Sequence, residues 1–201
     1  MAEITAALVK ELRDKSGAGM MDCKKALTAT GGDQEKALDE LRKQGLASAQ
    51  KKSLRATKDG AVDSYIHAGG KIGVLVEVGV ETDFVSRSDP FKEFTHDLAM
   101  HVAAASPRWV TRDEVPAELI AREKAIYAEQ VKGKPENVLE KIVTGKLEKF
   151  FGANCLMEQA FIKDPDRTIE QLRTDLVGVI GENVEVRRFA RFQLGETTEE
   201  A

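Results

Sequence analysis

Between Ile72 and Glu81 the chain alternates without a break. Ile72, Val74, Val76, Val78 and Val80 fall on one side, and Gly73, Leu75, Glu77, Gly79 and Glu81 on the other. A period of two is that of a strand with one buried face. From Asp89-Pro90 onward the apolar residues change to helical spacing, at Phe91, Phe94, Leu98, Val102 and Ala105. The stretch Glu81–Arg87 must therefore turn the chain at the end of a sheet. It sets a carboxylate, Asp83, beside an aromatic ring, Phe84. One reading makes Phe84 a plug of the core and Asp83 a turn cap. The other makes the corner a rigid mount that presents both side chains to a partner.

The first fifty residues read as three short helices. Thr5 is a good N-cap, with Ile4 and Val9 placed for a hydrophobic staple. Ile4, Leu8 and Leu12 repeat on one face, and Gly17-Ala18-Gly19 breaks that helix. A second helix is expected from about Met20 to Ala29, ended by Gly31-Gly32, and Asp33 can cap a third with Leu38 and Leu41 facing inward. Residues 51–59 are basic and aperiodic, and read as a solvated linker that continues the third helix at most.

An α+β core over residues 60–195 follows. Val62, Ser64 and Ile66 alternate with Asp63, Tyr65 and His67, and Gly69-Gly70 supplies the positive φ angles of a tight hairpin turn. Asp89 reads as an N-cap with Pro90 at the first helical position. Along that helix Met100, Ala103 and Ala104 lie opposite the main apolar stripe, so it is covered on two sides. Helices are expected over 116–131 and 136–151, the second with Leu139, Ile142, Val143, Leu147 and Phe150 inward and Gly152 as its C-cap. A strand around Ala160–Ile162, a helix from Thr168 to Val179 and a final strand from Val184 to Phe192 complete the core. In that last strand Arg188 falls out of phase with Val186, and a bulge at Arg187-Arg188 would restore the register. The acidic tail, 196–201, reads as frayed. The whole is an α+β chain: a three-helix module, then an antiparallel sheet packed with helices.

Several function classes fall away. Thirty basic and 34 acidic residues are mixed throughout, for a net charge of −4, which argues against binding nucleic acid through bulk charge. No apolar run spans a bilayer, and the start shows neither a basic region nor an apolar one of the secretory kind. Cys23 and Cys155 lie far apart, so a reducing compartment, the cytoplasm, is the simplest setting. The three histidines do not form a metal site: His96 and His101 project about 140° apart on one helix. His101 borders the apolar stripe and reads as a packed core residue. With no phosphate loop and no nucleophile–base pair, nothing points to a reaction or to a cofactor, and the chain is expected to act by binding.

Two motifs then carry a resemblance. Leu12-Arg13-Asp14-Lys15-Ser16-Gly17-Ala18-Gly19-Met20-Met21-Asp22-Cys23-Lys24-Lys25-Ala26-Leu27 is similar to the N-terminal signature of the bacterial elongation factor Ts family. Glu81-Thr82-Asp83-Phe84-Val85-Ser86-Arg87 resembles its second signature, and Gly181-Glu182-Asn183-Val184-Glu185-Val186-Arg187-Arg188 its closing strand. Gly79-Val80 departs from the polar and small residues usual there, and the chain holds one copy of a core that longer members carry twice.

The resemblance implies a guanine-nucleotide exchange factor for elongation factor Tu, met in its GDP-bound and nucleotide-free forms. It implies a ubiquitin-associated-like (UBA-like) module over residues 1–50 that docks on the GTPase. It also implies that Thr82, Asp83, Phe84 and Val85 work beside the partner's Mg²⁺ site. Leu12, Met20 and Met21, around the glycine break, are candidates for docking and equally for the module's own core. A homodimer is expected, formed through the Met100-Ala103-Ala104 side of the long helix unless the chain's later helices cover it. The competing class is an adaptor that binds a peptide or ubiquitin-like partner through the three-helix module, with Asp83-Phe84 structural.

Overall fold

The computed structural model describes residues 4–133 and 135–196. Among the described residues eight α-helices, α1 Ala6–Ser16, α2 Met20–Ala29, α3 Gln34–Lys52, α4 Asp83–Ser86, α5 Asp89–Ala105, α6 Ala117–Gln130, α7 Glu136–Asn154 and α8 Ile169–Ile180, accompany five strands. The strands are β1 Asp59–Ile66, β2 Ile72–Val80, β3 Ala160–Phe161, β4 Asp164–Thr168 and β5 Val184–Gln193. The fold class is α+β, as the sequence indicated. A three-stranded sheet has the order β1-β2-β5, and β3 pairs with β4 in a separate antiparallel ribbon. Of the acidic tail, all beyond Glu196 lies outside the described residues.

The chain gathers into two compact units, each drawn from three stretches. One takes residues up to Ala61, Val78–Phe94 and Gln171–Glu185; the other takes Val62–Glu77, Thr95–Glu170 and the residues from Val186.

In the first unit the three N-terminal helices form their own small core of Val9, Leu12, Cys23, Ala26, Leu27, Ala37 and Leu41, with Ile4 and Leu8 packed against it. Thr5 accepts from the amide of Leu8, and Asp33 from that of Lys36, so both sequence-read caps are made. Gly17 ends α1 at φ 67°, and an added Cβ there would meet Val179 of α8 at 3.2 Å. α3 runs past Leu46, which is exposed, to Lys52. It absorbs the start of the expected linker because its Ala-rich second half favours helix and Ala49 is buried.

In the second unit the turn His67–Gly70 closes with the Gly70 amide donating to the His67 carbonyl at 2.9 Å, and Gly69 and Gly70 take positive φ as expected. Glu77 on β2 receives two neighbours from β5: Arg187 Nη1 at 3.0 Å and Arg188 Nε at 2.6 Å. Burial along β5 changes phase at this pair, Val186 and Phe189 being the half-buried residues on either side. Such a change of phase is what a bulge at Arg187-Arg188 would produce. Hydrogen bonds from Arg188 and Arg187 hold the Glu77 carboxyl below the usual carboxylate range.

Three expectations shift. α5 begins at Asp89 with Ser88 before it, whose carbonyl accepts from Lys92, so Pro90 sits one residue deeper than the first helical position. α7 passes through Gly152 to Asn154, and its buried residues are Leu147 and Phe151, with Val143 and Phe150 partly buried against them. β4 was not foreseen. Its sequence, Asp-Pro-Asp-Arg-Thr, has no apolar alternation, and it is a strand because it pairs with β3.

Candidate partner-binding corner

The corner lies wholly within the first unit. β2 ends at Val80, and after the extended Thr82 (φ −134°, ψ 156°) the chain makes a single helical turn, α4. Val85 is buried and anchors that turn. Phe84 points the other way and is 82 % exposed. The core-plug reading of Phe84 is therefore excluded. Asp83 is exposed, and its Oδ2 receives Arg87 Nη2 at 2.8 Å.

The backbone that leads into α4 is held from far along the chain. Glu182, in the loop between α8 and β5, accepts with Oε2 from the amides of Glu81 (3.1 Å) and Thr82 (3.0 Å). Its Oε1 accepts from the Thr82 hydroxyl at 2.7 Å. In return Glu81 Oε1 accepts from the Asn183 amide at 2.7 Å, and Asn183 Nδ2 donates to the Arg55 carbonyl at 2.9 Å. Arg55 adds a longer contact to Glu81 at 3.4 Å. Thr82 thus occupies the cap position of α4 without capping it, its hydroxyl being turned to Glu182. Nearby, the Ser86 hydroxyl and the Gly60 amide hold the Asp59 carboxyl below its ordinary value.

The departure from the family pattern at Gly79-Val80 falls on buried positions. Gly60 and Gly79 come together there: a Cβ on Gly60 would lie 2.2 Å from the Val78 carbonyl oxygen and 2.9 Å from the Gly79 Cα. This part of the strand meets its own neighbour strand and presents no side chain outward.

The second candidate set divides. Leu12 is fully buried in the three-helix core, whereas Met20 and Met21, in the first turn of α2, are 49 % and 64 % exposed. Leu12 is thus a core residue and the two methionines are surface residues. Thr82, Asp83 and Phe84 stand together on the surface, with Val85 beneath them. Glu182, Asn183 and Arg55 were missed as parts of the site. The signal was present, since Glu182-Asn183 belongs to a recognised motif, but that motif reads as a strand start and Arg55 as linker.

The sequence profile described as Elongation factor TS matches residues 9–196. The chain belongs to the elongation factor Ts family. It is 62 % identical over 198 residues to elongation factor Ts of Geobacter sulfurreducens, covering 98 % of this chain and 92 % of that one. It is 61 % identical over 195 residues to the protein of Citrifermentans bemidjiense, covering 96 % and 90 %. To that of Anaeromyxobacter dehalogenans it is 60 % identical over 201 residues, covering 99 % and 92 %. The aligned stretch thus spans 90–92 % of the length of each of these relatives. Among the described residues no helix is long and apolar enough to cross a membrane.

Proposed function

We propose that the chain is a guanine-nucleotide exchange factor that promotes GDP release from the translational GTPase elongation factor Tu. The observation that carries this reading is an aromatic ring, Phe84, held 82 % exposed beside the carboxylate of Asp83 on a hydrogen-bonded corner. Keeping such a ring in water is unfavourable, and burying it in a partner contributes about 1.5–3 kcal/mol. That is enough to shift a conformational equilibrium of the partner about tenfold to a hundredfold.

Mg²⁺ requires near-ideal octahedral geometry, so a small displacement of the groups around it weakens its hold. Phe84 acts as a wedge that keeps a displaced element of the GTPase in place. Asp83 redirects hydrogen bonds that supported the ion's water shell, after exchanging its contact with Arg87 for one on the partner. The loss of Mg²⁺ leaves the GDP phosphates without their counter-charge. No covalent bond is made or broken, and the coupling is reciprocal: the factor loosens GDP, and incoming nucleotide displaces the factor equally.

Met20 and Met21 dock the three-helix module on the GTPase, their flexible thioethers adapting to an apolar surface. Leu12 supports them from within. The working species is a homodimer. On the helix side first considered, Ala103 is buried and its carbonyl accepts from Arg191, while Met100 is half-buried and Ala104 exposed. The open apolar surface is the outer face of the sheet, where Val62, Ile66, Leu75 and Phe192 are all exposed. Ile66 lies over Gly73, its Cδ1 3.1 Å from where a Cβ would stand, which ties β1 and β2 into one patch. A second copy offers the same patch by two-fold symmetry and removes both from water. The factor works in the cytoplasm, beside the GTPase it serves.

The direct test is release of fluorescent GDP from purified elongation factor Tu with and without the chain. Acceleration that Phe84→Ala and Asp83→Ala each reduce supports the reading. No acceleration, with binding retained, would leave an adaptor instead.

A further inference from the structure

We propose that Glu182 is the positioning residue of the Thr82-Asp83-Phe84 corner, an inference that rests on the exchange reading above. An exposed aromatic ring is useful as a wedge only if its backbone is already ordered, because ordering it on contact offsets part of the binding energy. α4 is too short to order itself: a single turn fixes several dihedrals for few internal hydrogen bonds. Its order must come from outside.

Glu182 supplies it with three contacts to two consecutive residues. Oε2 takes the amides of Glu81 and Thr82 at 3.1 and 3.0 Å, and Oε1 takes the Thr82 hydroxyl at 2.7 Å. Hydrogen bonds to an ionised acceptor are about twice as strong as neutral ones. The return contact, Asn183 amide to Glu81 Oε1 at 2.7 Å, and the hold of Asn183 on the Arg55 carbonyl fix Glu182 in turn. Asn183 is buried, so this end of the clamp is rigid. Glu182 accepts hydrogen bonds from Glu81 and Thr82, not from Asp83 or Phe84. It sets the direction in which they leave the backbone.

Glutamine at this position is a sharp discriminator. Its Oε1 can take the two amides as Glu182 Oε2 does, and its Nε2 can donate to the Thr82 hydroxyl, which turns to accept. The geometry survives while the charge is lost. Alanine removes both.

The experiment compares Glu182→Ala, Glu182→Gln, Thr82→Val and Phe84→Ala by two readouts. The first is amide hydrogen exchange at Glu81 and Thr82 in the free protein. The second is the rate of fluorescent GDP release from the partner GTPase, titrated with factor to give a maximal rate and a half-saturating concentration. Glu182→Ala is expected to expose both amides and to lower the maximal rate about tenfold or more, as loss of pre-placement does. Its half-saturating concentration should stay within about twofold, because docking through the three-helix module is untouched. Glu182→Gln, which keeps the geometry and loses the charge, should fall between the parent and Glu182→Ala on both readouts, as should Thr82→Val.

Parent maximal rate in Glu182→Ala, with Phe84→Ala slow, overturns the positioning role and leaves the wedge standing. Parent rate in Phe84→Ala removes the wedge, and the positioning role with it. Amides that stay protected in Glu182→Ala also overturn the inference. If Glu182→Ala does not fold, Thr82→Val decides: unchanged protection and an unchanged maximal rate count against the clamp.

Discussion

His101 and Gln159 are joined inside the second unit by a buried hydrogen bond of 3.0 Å between Nε2 and Oε1. The Ile162 amide donates to the other ring nitrogen, Nδ1, at 3.4 Å, which assigns the proton to Nε2. Gln159 completes the arrangement by donating to the carbonyl of Ala153 at 2.8 Å. A second proton on His101 would have to face the Ile162 N–H. Burial accordingly lowers the His101 pKa, and the bond to Gln159 offsets this only in part. The folded state thus holds His101 neutral at pH values where the unfolded chain, titrating near pH 6.5, has begun to bind a proton. Stability is full above that value and is lost as pH falls through it. Between pH 7.5 and 5.5 the parent's thermal midpoint should drop further than that of His101→Gln. Equal drops in the two proteins would refute this.

Phe84→Ala should separate function from stability. An 82 % exposed ring contributes little to the fold, so the urea midpoint should change by less than about 0.5 kcal/mol equivalent. GDP release should slow in the same preparation. A clear loss of stability would mean that the ring packs on its own chain.

Gly60→Ala should be among the most damaging single-methyl additions in the chain. Gly60 has φ 152°, and its Cβ would lie 2.2 Å from a backbone oxygen that cannot swing aside. A cost of about 2–4 kcal/mol is expected in chemical unfolding. Gly69 provides the control. It has φ 90° and open space around it, so Gly69→Ala should cost only about 1–2 kcal/mol.

The sheet face should set the oligomeric state. Sedimentation at micromolar concentration should give about twice the 22.1 kDa chain mass. Ile66→Glu combined with Phe192→Glu should yield a folded monomer, because each dimer would otherwise bury four carboxylates. A parent that sediments as a monomer, or a double variant that stays dimeric, would remove this face as the contact.

Local chemistry was readable from sequence wherever it is short in range. The caps at Thr5 and Asp33, the glycine turn after His67 and the change of phase at Arg187-Arg188 each depend on residues a few positions apart. The corner itself was located for the same reason, as a period of two giving way to one of 3.6. What could not be read was which of two equally apolar groups faces inward. Leu12 and Met20 both suit either a small core or a contact surface, and only packing separates them. Glu182 stood inside a legible motif, but its partners did not. Its partners are 100 and 101 positions away, and nothing in the spacing of one motif announces a hydrogen bond to another.

That separation also has a consequence in time. A ribosome adds about 5–20 residues per second, so Glu182 is polymerised roughly 5–20 s after Thr82. The three-helix core, whose residues all lie between Val9 and Leu41, can close long before then. The Thr82 corner cannot be finished until the last strand is being made. A growing chain therefore completes its three-helix core first and acquires an ordered Thr82-Asp83-Phe84 corner only near its release, so a chain truncated before Glu182 would carry the helices without the ordered corner.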